Sequence, residues 1–153
     1  MGKFANKFES AKQDWETPIE FFSPINEEFN FTLDAAASAE NAKVSFFFSE
    51  EEDGLSQSWG RHTVWLNPPY GAKKKPISAW VSKAYKESLS GATSVILIPA
   101  RTNTNWFHDI CLAHAEIRFI RGRPKFGDAK HGLPQPLCLV IFRPPTFTGR
   151  NHP

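Results

Sequence analysis

A chain of 153 residues with 41% hydrophobic and 22% charged residues has the length of one domain and the composition of an ordinary globular protein. Roughly two thirds of the surface of its unfolded chain can be buried, so disordered and collagen-like classes are excluded. A net charge of +2 excludes a histone-like polycation but leaves nucleic acid open as a partner, because clustering of charge matters more than its sum.

Residues 1–12 and the tail TGRNHP read as loose ends of a single domain spanning 1–153. Thr17-Pro18 then opens a helix: Thr can cap, Pro is tolerated at the first helical position, and Glu20 stands three residues after Thr17 as in a capping box. PIEFFSPINEEF carries aromatics on one side, and Pro24 is expected to kink or split it. FNFTLDAAAS reads as a short strand ending at Asp34, KVSFFFSEEEDGL as a second apolar run ending in acids, and HTVWLNPPY as a third strand. ISAWVSKAYKESL is an amphipathic helix, ATSVILIPA a buried strand and NTNWFHDICLAHA another helix. AEIRFIRG and PLCLVIFRP close the chain as two strands with no helix between them, hence an antiparallel pair. The segment joining them, RPKFGDAKHGLPQ, is too polar and too rich in Gly and Pro to be core. Strands alternating with helices predict an α/β fold with a mixed, mostly parallel sheet.

Cys111 and Cys138 have no Cys or His neighbour at ligand spacing, and the histidines show no metal spacing. No apolar run reaches about 18 residues. The expectation is a reduced, cytoplasmic protein with no metal and no membrane partner. The sequence leaves the oligomeric state open, monomer or weak dimer.

In parallel sheets ligands bind beyond the carboxyl ends of the strands, and Asp34, Asp53 and Asn67 each follow an apolar run. The last of these opens the tetrapeptide Asn67-Pro68-Pro69-Tyr70. It has a plain reading as a proline-stiffened turn, and it fits the Asn-Pro-x-Tyr pattern of peptide ligands. Those ligands need flexible flanks, whereas this one is fed by an apolar strand and followed by a helix. Its chemical reading is methyl transfer to a planar amino nitrogen. An exocyclic amine whose lone pair is delocalised into a ring is a poor nucleophile. Two acceptors aimed at its hydrogens draw the nitrogen toward tetrahedral geometry and free the lone pair. The Asn67 side chain and the Pro68 carbonyl, the latter held by Pro69, supply them. Tyr70 offers a flat face to an unstacked base, a contact worth about 1–3 kcal/mol. The loop alone does not choose among adenine N6, cytosine N4, an RNA adenine or a protein glutamine, and a nucleic-acid-binding module without activity is the non-enzymatic alternative.

Five blocks in order, DWETP, FTLDAAASAENAK, EEEDGL, VWLNPPYG and PARTNTNWFH, resemble the bacteriophage and prophage DNA N6-adenine methyltransferases, the phage Dam family, from about Asp14 to Phe142. The resemblance implies a Rossmann-like fold, S-adenosyl-L-methionine as cofactor, and DNA, double-stranded, as substrate. It places Thr17 and Pro18 at the methionine end of the cofactor, where a helix N-terminus suits a carboxylate. It sets Asp34 beside the cofactor amino acid, with Ala35, Ala36 and Ala37 small enough for close approach. Asp53, Gly54 and Leu55 receive the cofactor adenine, Trp15 is a candidate cofactor wall, and Asn67 touches both cofactor and target. Asn67, Pro68, Pro69 and Tyr70 form the catalytic loop. DAAAS lacks the glycine that methyltransferases at large carry after the first strand, and fewer than about twenty residues separate Asp34 from Asp53, leaving little room for a second strand and its ribose-binding acid. Glu40 or Asn41 is the candidate for that role.

A base inside a duplex must be flipped out to reach such a pocket. Lys73, Lys74 and Lys75, beside the catalytic loop, are candidates to grip phosphates. A second basic group, Arg118, Arg121, Arg123, Lys125 and Lys130, lies in and before the segment 122–136, the candidate for sequence readout by guanidinium groups. Arg101 is a further candidate DNA contact.

Overall fold

A computed structural model describes residues 16–71, 73–122 and 135–146. Helix α1 runs over Ile19–Phe29, β1 over Leu33–Asp34, β2 over Thr63–Leu66, α2 over Ile77–Leu89 and β3 over Thr93–Pro99. A π-helix spans Phe107–Leu112, followed by β4 at Glu116–Phe119 and β5 at Leu137–Phe142. The five strands form one sheet in the order β1-β2-β3-β5-β4. β1, β2 and β3 are parallel, β5 is antiparallel to β3, and β4 is antiparallel to β5. The expected antiparallel pairing of the last two strands is therefore present, and the sheet is mixed α/β as the alternation of elements predicts.

Both faces of the sheet are covered, which is why its central strands read as continuous apolar runs rather than alternating ones. On one face Trp65, Val95, Leu97, Leu137, Leu139 and Ile141 pack with Phe22 of α1 and with Phe31. On the other, Val64, Leu66, Ile96, Ile98, Cys138, Val140 and Phe142 pack with Trp80, Val81 and Ala84 of α2 and with Phe107 and Cys111 of the π-helix. Strand period two sends alternate residues to the two cores.

Three local expectations are corrected. α1 is not capped by Thr17: Pro18 is the N-cap residue and makes no side-chain cap bond. Pro24 does not split the helix, which continues through it to Phe29. The run KVSFFF is not a strand in its own right; it meets β1 through one parallel bridge, Asp34 to Phe47, with Asp34 N–H donating to the Phe46 carbonyl and Phe48 N–H to the Asp34 carbonyl, each at 3.0 Å. With so few residues between Asp34 and Asp53, the chain must turn at once toward the next loop. Among the described residues no helix is long and apolar enough to cross a membrane.

Candidate active site

Strand direction brings the polar ends to one edge. Asp34 ends β1, Asn67 follows β2 and Arg101 lies two residues past β3. β4, antiparallel to β5, which is itself antiparallel to β3, runs the same way and delivers Arg121 to that edge. Ile120 and Pro136 also lie at this edge, because the Pro136 carbonyl accepts the Ala100 N–H at 2.9 Å and the Leu137 carbonyl accepts the Ile120 N–H at 3.1 Å. Arg123, Lys125 and Lys130, named above as candidate readers, lie outside the described residues, as does Trp15.

Between the ends of β1 and β2 lies a cavity of about 680 Å³. Thr17, Asp34, Ala35, Ala36, Ala37, Asp53, Gly54, Asn67 and Pro69 all line it. Glu40 and Asn41 are on its wall as well. Pro18, Leu55, Pro68 and Tyr70 do not contribute to the lining.

Asp34 is the buried charge of the site, 3% exposed. Its carboxylate accepts backbone N–H groups from Lys43 at 3.0 Å and Ala36 at 3.4 Å. Burial pushes its pKa up to about 6, against the opposing pull of those hydrogen bonds. The Asp53 backbone is left-handed, with φ +59°. Its carboxylate accepts the Leu55 N–H at 3.2 Å and lies 3.1 Å from the Lys75 ammonium. Lys75 thus reaches into the cavity wall, whereas Lys73 and Lys74 are exposed.

The missing glycine of DAAAS has a counterpart further along the chain. Gly54 is buried, and a Cβ on it would lie 2.1 Å from the Ala35 carbonyl oxygen. The close approach is made by the acidic loop onto β1, and only a residue without a side chain permits it. Trp59, a fully buried aromatic, holds that loop: its indole N–H donates to the Gly54 carbonyl at 2.9 Å. Its own backbone N–H donates to Glu87 of α2 at 2.8 Å.

In the loop after β2, the Asn67 side-chain N–H donates to the Thr17 hydroxyl at 3.1 Å. The Tyr70 hydroxyl donates to the Leu97 carbonyl at 2.8 Å, and its ring packs against both cores. Burial holds the phenol neutral, its pKa raised above the usual value. Arg118 is paired with acids of its own chain: its guanidinium holds Glu28 bidentately at 2.7 and 2.8 Å and also pairs with Glu116.

The cavity suits a ligand with one cationic and one planar end. Asp34 offers a carboxylate to an ammonium group at one place, and the Asp53–Leu55 loop offers polar acceptors and a side-chain-free backbone at another. The residues present fit an amino-acid nucleoside of the size of S-adenosyl-L-methionine.

Known proteins bear on this arrangement. The sequence model of the family described as DNA N-6-adenine-methyltransferase (Dam) matches residues 5–145. A DNA N-6-adenine-methyltransferase of Haemophilus phage HP1 is 33% identical over 150 residues, covering 92% of this chain and 84% of the phage protein. One of Escherichia phage T1 is 34% identical over 120 residues, covering 77% of this chain and 49% of that longer protein. With a match across nearly its whole length, an asparagine-led loop at the end of the second strand and the flanking cavity within it, the chain belongs to the DNA N-6-adenine-methyltransferase (Dam) family.

Proposed function

We propose that this protein transfers a methyl group from S-adenosyl-L-methionine to the N6 amine of an adenine flipped out of double-stranded DNA. The observation that carries the reading is that Asn67 and Asp34 line one cavity at the carboxyl edge of a parallel strand pair. The sheet order, with a reversed strand lodged between β3 and the edge strand, supports a Rossmann-like methyltransferase fold.

When bound, S-adenosyl-L-methionine supplies an electrophilic methyl group on a sulfonium. The chain's own residues do the rest. Asp34 holds the ammonium of the methionine moiety, and the Asp53–Leu55 loop receives the adenine moiety. The Asn67 carbonyl and the Pro68 carbonyl accept the two hydrogens of the target amine, pulling its lone pair out of conjugation and toward the methyl group. The nitrogen would gain the carbon that the sulfonium gives up, sulfur keeping the electron pair of the broken C–S bond as a neutral thioether, and the surplus proton on nitrogen would pass to water. Tyr70, half-buried beside the loop and fixed through its hydroxyl to β3, is the residue assigned to support the extruded base. Lys73 and Lys74, exposed beside the loop, take the neighbouring phosphates. Arg101 and Arg121 extend the basic edge toward the segment 122–136, which reads the sequence.

The test is incubation with labelled cofactor and unmethylated duplex DNA, digestion to nucleosides and identification of the labelled base. N6-methyladenine is expected. N4-methylcytosine, or label on protein, would overturn the assignment. Asn67→Ala should keep cofactor binding and lose most turnover; equal loss of both would make Asn67 structural only.

A further inference from the structure

We propose that the Lys43 ammonium receives the carboxylate at the amino-acid end of S-adenosyl-L-methionine, and that Glu16 is the internal partner which that carboxylate displaces. The inference rests on the cofactor reading given above and supplies the cation that the reading lacks.

An amino acid is a zwitterion, so a cavity that takes its ammonium on Asp34 must also meet a carboxylate. The start of α1 is the expected donor, but it does not open onto the cavity: the lining includes Glu16 and Thr17, and neither Pro18 nor any residue of α1. Among the described lining residues the cations are Lys43 and Lys75. Lys75 is held by Asp53 in the acidic loop. Lys43 belongs to the Asp34 end. The turn after β1 closes on itself, the Ser38 N–H donating to Asn41 Oδ1 at 2.7 Å and the Ala42 N–H to the Ser38 carbonyl at 2.9 Å. It brings Lys43 back to β1, where the Lys43 backbone N–H donates to the Asp34 carboxylate at 3.0 Å.

The ammonium itself is not spent on Asp34. Burial raises the Asp34 pKa and the Lys43 charge works against that rise, yet among the described ion pairs Lys43 is joined to Glu16, at 3.2 Å. That pair is lopsided: the Lys43 side chain is 11% exposed and the Glu16 side chain 52%. A largely buried ammonium needs an anion beside it. A half-hydrated carboxylate gives up an ion pair at little cost, because water takes over its oxygens. Both side chains line the cavity, so a ligand carboxylate entering it can take Lys43 in exchange for Glu16. Asp34 and Lys43 then match the two charges of one amino acid, each with a group of its own.

Two ligands make the test: S-adenosyl-L-homocysteine, which carries the same amino-acid end, and its decarboxylated analogue, which keeps the ammonium and lacks the carboxylate. In calorimetry the wild type should bind the first roughly ten- to hundredfold more tightly than the second, the range for a hydrogen bond between charged groups. Lys43→Met keeps most of the stem and removes the charge, and it should bind the two ligands about equally. Glu16→Gln, a change at an exposed side chain, should widen the gap by removing the competing acid. A wild type that binds both ligands equally overturns the proposal, and this comparison needs no variant. A gap that persists undiminished in Lys43→Met overturns it by placing the carboxylate on another group, and a gap that narrows in Glu16→Gln overturns the exchange. Should Lys43→Met fail to fold, the wild-type comparison and Glu16→Gln carry the test. A wild type that binds neither ligand would sink the cofactor reading of the cavity and the proposal with it, an outcome distinct from tight binding without preference for the carboxylate.

Discussion

The Lys75 ammonium lies 3.1 Å from the Asp53 carboxylate, joining the lysine-rich loop after Asn67-Pro68-Pro69-Tyr70 to the acidic loop of the cavity. Three consecutive lysines therefore divide into two kinds: Lys73 and Lys74 point to solvent, and Lys75 belongs to the cavity wall.

That division has a measurable form. Each phosphate that a variant leaves without its lysine should reduce the slope of log affinity against log salt by about one. Replacing Lys73 and Lys74 together by Ala should lower the slope of DNA binding, while Lys75→Ala should leave the slope and change cofactor affinity. The ion pair of Lys75 with Asp53 is partly exposed, so its effect on stability is small. A slope that drops with Lys75→Ala as much as with the other two would return all three lysines to the phosphate backbone.

Asp34 gives the site a pH dependence. Burial raises its folded pKa from 3.8 to about 6. Between those values the native state holds more protons than the unfolded state, so this group makes stability fall as pH rises through the window and adds no slope above it. Ligand binding runs the other way. A carboxylate that receives an ammonium group must be ionised, so affinity for S-adenosyl-L-methionine should weaken as pH drops through about 6. Calorimetry between about pH 5 and 8 checks this, with circular dichroism confirming a folded protein at each point. Asp34→Asn should bind weakly and without that midpoint; an unchanged midpoint in the variant would assign the titration to another group.

Much of this architecture is written locally. The apolar spacing of ISAWVSKAYKESL fixes α2 at Ile77–Leu89, and the unbroken apolar run of PLCLVIF fixes β5, because a strand covered on both faces has no polar side to show. The cavity is less legible. Asp34 and Asn67 are found from the sequence because each ends an apolar run, and strand ends collect at one edge. The bonds that shape the site are of a different kind: Thr17 to Asn67, Asp53 to Lys75, Trp59 to Gly54 and Glu87. They arise from how crossovers are laid over a sheet, and periodicity records only which face is covered. Thr17 reads as a cap because propensity is local; Pro18 takes the cap position, and the long-range partners decide the rest.

Gly54 shows how sharply the acidic loop is seated. Its missing side chain allows contact with the Ala35 carbonyl, a backbone group that cannot swing aside. Gly54→Ala should destabilise the protein by about 1–3 kcal/mol, the range for overpacking a tight site. It should also weaken cofactor binding, since the loop must lift from β1 to make room. Thermal unfolding and calorimetry measure the two effects. Wild-type stability and affinity in Gly54→Ala would mean that the loop has a second seat of equal energy.

Trp59 supports that loop from beneath, and its replacement separates support from bulk packing. The ring is fully buried, its N–H bonds the Gly54 carbonyl, and its backbone N–H is held by Glu87, which also pairs with Lys83 at 3.0 Å. Trp59→Phe keeps an aromatic and the Glu87 bond but leaves the Gly54 carbonyl without its indole partner, at a cost of about 1–3 kcal/mol. Released from below, the Asp53–Leu55 loop, proposed above to receive the adenine end of the cofactor, should hold it less well, and affinity should fall by roughly three- to tenfold, the equivalent of one hydrogen bond. Lys83→Ala, which takes away the cation beside a largely buried Glu87 and leaves the indole bond in place, should lower stability but leave cofactor affinity unchanged. A Trp59→Phe protein that loses stability yet binds cofactor as the wild type does would confine Trp59 to the core and leave the loop to be held by Gly54 and Lys75.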